Sequence, residues 1–357
     1  MHRHGFSFYL KEKIVIRMFM LFLILFTSAA FSEEENIVNV YSWATDLPNE
    51  VVQAFEKETG IKVNRSGYGS NEEMYAKLRA VGTSSYDVIE PTSYYVARMA
   101  SEGMLESLDV TKLSNYKNLT PSFLKPPYDP SGTHGIPYFW GLTGIFVNRK
   151  YFPDAKITGW ADLWKPEYKG KLLILDDPRE LFSAALILLG YSPNDSDLKQ
   201  VQAAYERLTQ LLPNIKLFNS SAVVSIVGDE DATIGMIWNY NFREAAAYNK
   251  NLEFIFPKEG FVMWVDNFAI PKGAKHLENA YRFLNFILRP DIAKIMSVNN
   301  QEAITNKPGR ALLPASMRDD PVIYPPEDVL KRGIYQTDIS DAALAAYAAD
   351  WELLKLQ

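Results

Sequence analysis

Cysteine is absent from this 357-residue chain. Its absence excludes a disulfide scaffold, Cys-ligated zinc, an iron–sulfur cluster, a thiol nucleophile and a lipid carried on cysteine. Histidine is nearly as scarce. Of four in all, His2 and His4 sit at the very start, leaving His134 and His276 in the body of the chain. A Ser–His triad or a His-rich metal site has few routes here. Basic charge is in deficit, with 37 Lys and Arg against 43 Asp and Glu and a formal net charge of −6. Nucleic-acid binders carry a basic surface, so that class is disfavoured, and the long-range field of an acidic protein favours cationic partners. There is no internal repeat, low-complexity tract or long Gly/Ser linker. The hydrolase signatures G-x-S-x-G and H-E-x-x-H are missing, and no Gly-rich phosphate loop follows a strand.

What is present is an ordinary globular composition, 47% hydrophobic, 22% charged and 13% aromatic, at a length that permits more than one domain. One long apolar run stands out, Met18 to Phe26. Lys11, Lys13 and Arg17 precede it, and Ser28, Ala29, Ala30 and Ser32 follow. Basic, then apolar, then small is the pattern of a cleavable secretory signal, and the run is too short to span a bilayer comfortably. We expect a signal peptide over residues 1–32, cut after Ala30 or Ser32, and hence an exported protein. The leader holds four basic residues against Glu12, so its removal leaves a more acidic chain. All seven Trp lie beyond it.

The rest alternates strand and helix. Ile37 to Ser42 reads as a strand, Pro48 opens a helix carrying Val51, Val52 and Phe55, and Gly60 sits where a C′ glycine belongs. Ile61 to Asn64 resumes a strand. Asn71 to Ala80 is an amphipathic helix and Tyr86 to Ile89 a short buried strand. Gly144 to Asn148 and Lys171 to Leu175 are strands, and a helix runs from Asp177 through Leu189. Leu198 to Leu212 is helical. Thr233 to Trp238, Leu252 to Phe256 and Gly260 to Ile270 are strands. Glu278 to Leu288 is a helix, Pro290 opens the next, and the C-terminal third is helix-rich. This grammar predicts an α/β fold with a largely parallel sheet.

Seven segments, in order and spread over nearly the whole chain after the leader, carry a resemblance. They are YSWATDLPNEVVQAFEKETGIKV, SNEEMYAKLRA, GIPYFWGLTGIFVN, WADLWKPEYKGKLLILDDPRELFSAAL, GMIWN, VDNFAIPKGAKHLENAYRFLNFILRPDIAK and GIYQTD. In these the chain resembles the periplasmic spermidine/putrescine-binding proteins of polyamine ABC transporters. The resemblance implies a two-lobed type II periplasmic-binding-protein fold. Each lobe is a mixed sheet flanked by helices, each is discontinuous, and the ligand lies in the cleft between them, outside strand carboxyl ends. We assign lobe 1 to residues 33–143 plus 265–311 and lobe 2 to 144–264 plus 312–357. The implied partners are a polyamine and a membrane-embedded ABC permease. The implied protein is periplasmic, not an enzyme, and needs no cofactor, metal or nucleic acid.

A polyamine is a string of protonated amines joined by methylenes. Carboxylates suit the amines and flat aromatic walls suit the methylenes, with cation–π attraction added. Trp264 and Asp266 fit this. At i and i+2 on a strand they share a face, and an Asp beside a Trp in an apolar strand otherwise needs a partner. Asp177 and Glu180 form a D-x-x-E capping box with Pro at N1; the resemblance puts both on the amines as well. Trp238 and Trp43 stand at strand carboxyl ends, as core or as cleft wall. The resemblance makes Thr92, Ser93 and Tyr94 a cleft loop supplying hydroxyls and a ring, and Gln336 a polar contact. Two places depart from the family. After Trp43 its hydroxyl–carboxylate–Tyr run is here Ala44-Thr45-Asp46, so Asp46 either reaches an amine or caps the helix near Pro48. Where the family commonly has Tyr, this chain has Glu302, an added amine ligand or a solvent-facing residue. Both changes lie at cleft ends, where chain length is read.

Two rival classes remain at this stage. Ferric-ion or other small-solute binding on the same fold would use tyrosines with carboxylates. Tyr94–Tyr95 is a pair, but on an extended segment its rings face opposite ways. A secreted glycoside hydrolase also combines aromatic walls with paired carboxylates.

Overall fold

The computed structural model describes residues 35–356, of which 37 onward form one compact unit. The signal peptide expected over 1–32 lies outside the described residues. The strands are β1 (Ile37–Trp43), β2 (Lys62–Tyr68), β3 (Val88–Ile89), β4 (Ile136–Asn148), β5 (Leu172–Ile174), β6 (Ile215–Phe218), β7 (Ile234–Trp238), β8 (Leu252–Ile255), β9 (Phe261–Phe268), β10 (Ala303–Ile304) and β11 (Gly333–Tyr335). The longer helices are α1 (Asn49–Thr59), α2 (Asn71–Val81), α3 (Ser93–Ser101), α4 (Pro178–Leu188), α5 (Leu198–Thr209), α6 (Asn239–Tyr248), α7 (Leu277–Ile287), α8 (Pro290–Asn300) and α9 (Asp341–Lys355).

The strands form two sheets. The first, β2-β1-β3, is wholly parallel. The second runs β11-β9-β4-β7-β5-β6, with β8 and β10 also on β4. It is mixed: β4 is antiparallel to β7, β8, β9 and β10, whereas β5 is parallel to β6 and β7. The expectation of a largely parallel sheet therefore holds for the first sheet alone. Antiparallel bridges Ile89–Ala269 and Thr92–Asp266 join the end of β3 to the end of β9, so the two sheets meet at strand ends.

β4 is longer than the sequence suggested. It starts at Ile136, not Gly144, and all 13 residues are buried. A strand covered on both faces shows no polar alternation, and Pro137, Gly141 and Gly144 interrupt its apolar run. Gly141 is required by space. A Cβ there would lie 2.1 Å from Cζ2 of Trp264 and 2.5 Å from Oδ1 of Asn239.

Local signals fixed most helix ends. Gly60 is left-handed, φ 70°, and donates to the Glu56 carbonyl at 2.9 Å. Pro178 and Pro290 occupy the first turns of α4 and α8. Pro48 instead caps α1 from outside, and α5 stops at Thr209 rather than Leu212. The buried face of α1 packs on α7: Phe55 meets Phe283 and Phe286 edge-on, each at 5.3 Å. Truncating a ring so enclosed costs about 3–5 kcal/mol.

Candidate functional site

Strand pairings on β4 bring several of the expected residues together. β9 sets Asp266 opposite Phe139 and Trp264 opposite Gly141 on β4, while β10 sets Ala303 opposite Trp140 on the other side of β4. Glu302, just before β10, thus approaches the same region. The Asn300 amide donates to the Asp46 carbonyl at 2.9 Å and ties the Glu302 turn to the turn after β1. Thr92 Oγ1 donates to Asp266 Oδ1 at 2.5 Å and accepts from the Asn71 amide at 3.0 Å.

Asp46, Asp266 and Glu302 are each buried. Desolvation raises the Asp46 carboxyl to about 6, against the opposing hydrogen bond from Thr45. It raises Asp266 to about 7, with Asp46 adding repulsion and Thr92 and Trp43 easing the charge. Glu302 is pushed well above the carboxylate range, first by burial and then by Asp46 and Asp266. For two of them the structure removes one of the two readings. The N-terminus of α1 receives no side-chain cap, so Asp46 does not cap it. Glu302 does not face solvent, and its Oε2 has no hydrogen-bond partner.

The other end is built by the start of α4. Asp177 Oδ1 accepts the Glu180 N–H at 3.1 Å, one half of the expected capping box. The Glu180 side chain does not return to complete it. Its Oε1 takes the Trp238 indole N–H at 3.4 Å, and Oε2 is buried without a partner. Burial, then the adjacent Asp177, raises the Glu180 carboxyl to about 8, and burial raises Asp177 too.

Aromatic rings connect the two ends. Trp238 stacks parallel to Tyr240 at 6.2 Å, and Tyr240 meets Trp264 edge-on at 5.7 Å. Asp266 is two residues along the same strand. Trp43 leans on Tyr68 at 4.8 Å, and the indole N–H of Trp264 is buried without an acceptor. Gln336 follows β11, its N–H on the Met263 carbonyl at 3.2 Å and its side-chain amide nitrogen buried and unpartnered.

The stretch Thr92-Ser93-Tyr94 is not a loop. Thr92 is the N-cap of α3 and Ser93 its first residue, with a fully buried hydroxyl lacking a partner. Tyr94 and Tyr95 are therefore helical, not extended. Their rings are 5.0 Å apart, and their hydroxyls meet Asn71 at 3.1 Å and Glu72 at 3.4 Å respectively.

Sequence reasoning missed several residues here. Glu90, Tyr68 and Tyr240 belong to the Asp266 end, as their mutual electrostatics with Asp46 and Asp266 show. Glu72 and Arg179 join the Asp177 end, where Glu72 is raised by burial and by Asp177. Arg179, 3% exposed, lies 5.2 Å over the Tyr94 ring and donates to the Thr337 carbonyl at 3.1 Å. A lone acid at the end of an apolar strand was the available signal for Glu90; Tyr240, opening a helix, offered none.

Chemically, the site has acid at both ends and an aromatic wall between. A family model described as bacterial extracellular solute-binding protein matches residues 50–322. The spermidine/putrescine-binding periplasmic protein of Escherichia coli (strain K12) is 42% identical over 328 residues, covering 92% of this chain and 94% of that protein. A putrescine-binding periplasmic protein of the same organism is 35% identical over 315 residues, covering 83% and 85%. Among solved structures, the spermidine/putrescine ABC transporter substrate-binding protein of Streptococcus pneumoniae superposes with a TM-score of 0.79 at 32% identity, covering 90% of this chain and 98% of that one. This chain belongs to the bacterial extracellular solute-binding proteins, has their two-lobed type II fold, and groups with the spermidine/putrescine-binding periplasmic proteins.

Proposed function

We propose that this protein captures a polyamine between its lobes and delivers it to an ABC permease. One observation carries the reading. Carboxylates stand at both ends of an aromatic wall, the buried Asp46, Asp266 and Glu302 at one and the half-buried Asp177 with the buried Glu180 at the other. In the first group no lysine or arginine is among the charges acting on them most strongly. Buried acids need cations or protons, and a flexible chain of ammonium groups supplies the cations. Methylenes between the amines then lie on Trp238, Tyr240 and Trp264.

Lobe 1 comprises residues 33–143 plus 265–311 and lobe 2 residues 144–264 plus 312–357, with β4 and β9 running between them. The open form admits the amine and both lobes then close on it. Ligand favours closure by its preference for that state, and the closed surface is what the permease reads. The ligand is returned unchanged, without turnover. The signal pattern in residues 1–32 and the periplasmic relatives support export to the periplasm.

Calorimetric titration of ligand-stripped protein with spermidine, putrescine, cadaverine and ferric citrate tests this. Saturable one-to-one binding of a polyamine is expected. Silence toward all three amines, or binding of ferric citrate alone, overturns it.

A further inference from the structure

Glu90 is the least explained residue of the site. It follows β3, is fully buried, and neither carboxylate oxygen has a partner in hydrogen-bond geometry, the Trp43 backbone N–H alone easing its charge. A protonated acid would still need an acceptor for its O–H, so protonation alone does not satisfy it. Its backbone is well held: the Tyr68 hydroxyl donates to the Glu90 carbonyl, and the β-bridges at Ile89 and Thr92 pin both flanks to β9. Asp46, Asp266 and Glu302 lie near enough to repel its charge, in that order. Four carboxylates from four chain segments therefore converge, and three of their buried oxygens, both of Glu90 and Oε2 of Glu302, have no donor in hydrogen-bond geometry.

One ammonium cannot serve this group. A terminal –NH3+ has three N–H donors, and a secondary amine in the chain has two. A single nitrogen against four acids leaves most of the charge unpaired in a dry site. Two nitrogens, one on Asp266 and one deeper, offer up to five donors and two charges. At the opposite end Asp177, Glu180 and Glu72 are partly offset by Arg179, so the excess acidity is concentrated beside Trp43 and Tyr240.

We propose that Glu90, with Asp46 and Glu302, forms an additional cation subsite beyond Asp266, so that this chain prefers tetraamines over triamines and triamines over diamines. The inference rests on the polyamine reading and names the ligand class within it. Glu90 is then a specificity-determining residue: it sets how many charged nitrogens the closed cleft accepts at that end.

The test titrates spermine, spermidine and putrescine into wild type, E90Q and E302Q at pH 8, with thermal melts to verify folding. Wild type should bind spermine at least tenfold more tightly than spermidine. E90Q and E302Q should each cut that ratio at least fivefold. A wild type that binds spermidine as tightly as spermine overturns the inference, and so does a ratio unchanged in the variants, which would reduce spermine's advantage to general charge. If E90Q does not fold, E302Q decides by the same ratio. Failure of the polyamine reading itself looks different, since wild type would then bind no amine at all.

Discussion

Filling a site of protonated acids with a cation should expel protons. In the ligand-free protein Asp266 titrates at about 7, Glu180 at about 8 and Asp46 at about 6, in each case chiefly because burial disfavours the charge. At pH 7 Glu180 therefore stays largely protonated and Asp266 partly so. An ammonium at each end restores the ionised form, so binding at pH 7 should release protons, on the order of one or more, from these groups. Glu90 and Glu302, raised further, add to that total. Calorimetry in buffers of different ionisation enthalpy reads the number directly, as the slope of observed enthalpy against buffer enthalpy. By linkage, affinity should tighten between pH 6 and pH 8, by roughly tenfold per pH unit for each proton released. A slope of zero, or proton uptake, would refute the reasoning, because it would mean that the acids are already ionised or do not meet the amine.

Without ligand the same shifts act on stability with a definite sign. Carboxyls raised in the folded state bind more protons there than in the unfolded chain, so stability is greatest near pH 4–5 and falls as pH rises through about 6–8; thermal melts from pH 5 to 8 should show the decline, and saturating polyamine should reverse it. Asp266→Asn keeps the shape and removes a charge, so amine affinity should drop by about 2 kcal/mol or more, roughly thirtyfold; unchanged affinity would mean that Asp266 does not face the ligand. Arg98 on α3 bonds Asp338 at 2.9 Å, Asp341 at 2.7 Å and the Ile339 carbonyl at 2.9 Å, all in the C-terminal segment assigned to lobe 2. Arg98→Ala should favour the open form, enlarging the radius of gyration and weakening binding by about 1–2 kcal/mol; scattering and affinity both unmoved would deny it a latching role. Gly141→Ala drives a methyl into the Trp264 ring and should cost about 1–3 kcal/mol of stability, seen in denaturant melts, with weaker binding.

The regular elements were legible because their patterns are local. Pro178, Gly60 and the i, i+2 spacing of Trp264 and Asp266 act over a few residues, and the structure places each near where the pattern put it. Other features depend on partners distant in sequence. The first half of β4 is buried on both faces and so lacks alternation. The start of α3 reads as a β-prone T-S-Y-Y-V run, yet Thr92 caps a helix held by Asn71 and Asp266, 21 and 174 residues away. Asp46 and Glu302 were visible as departures from a family pattern, but that they meet was not, since the Asn300 contact to the Asp46 backbone spans 254 residues. Glu90 is one acid among many in the sequence. It becomes chemically conspicuous once three other carboxylates are seen around it.

The most direct measurement is a crystal structure of the ligand-stripped protein soaked or co-crystallised with spermidine at pH 8. The account predicts a closed cleft with amine nitrogens on Asp266 and on Glu180 or Asp177, and methylenes along Trp238, Tyr240 and Trp264. A bound polyamine lying elsewhere, or a closed cleft in which these carboxylates contact no nitrogen, would contradict it.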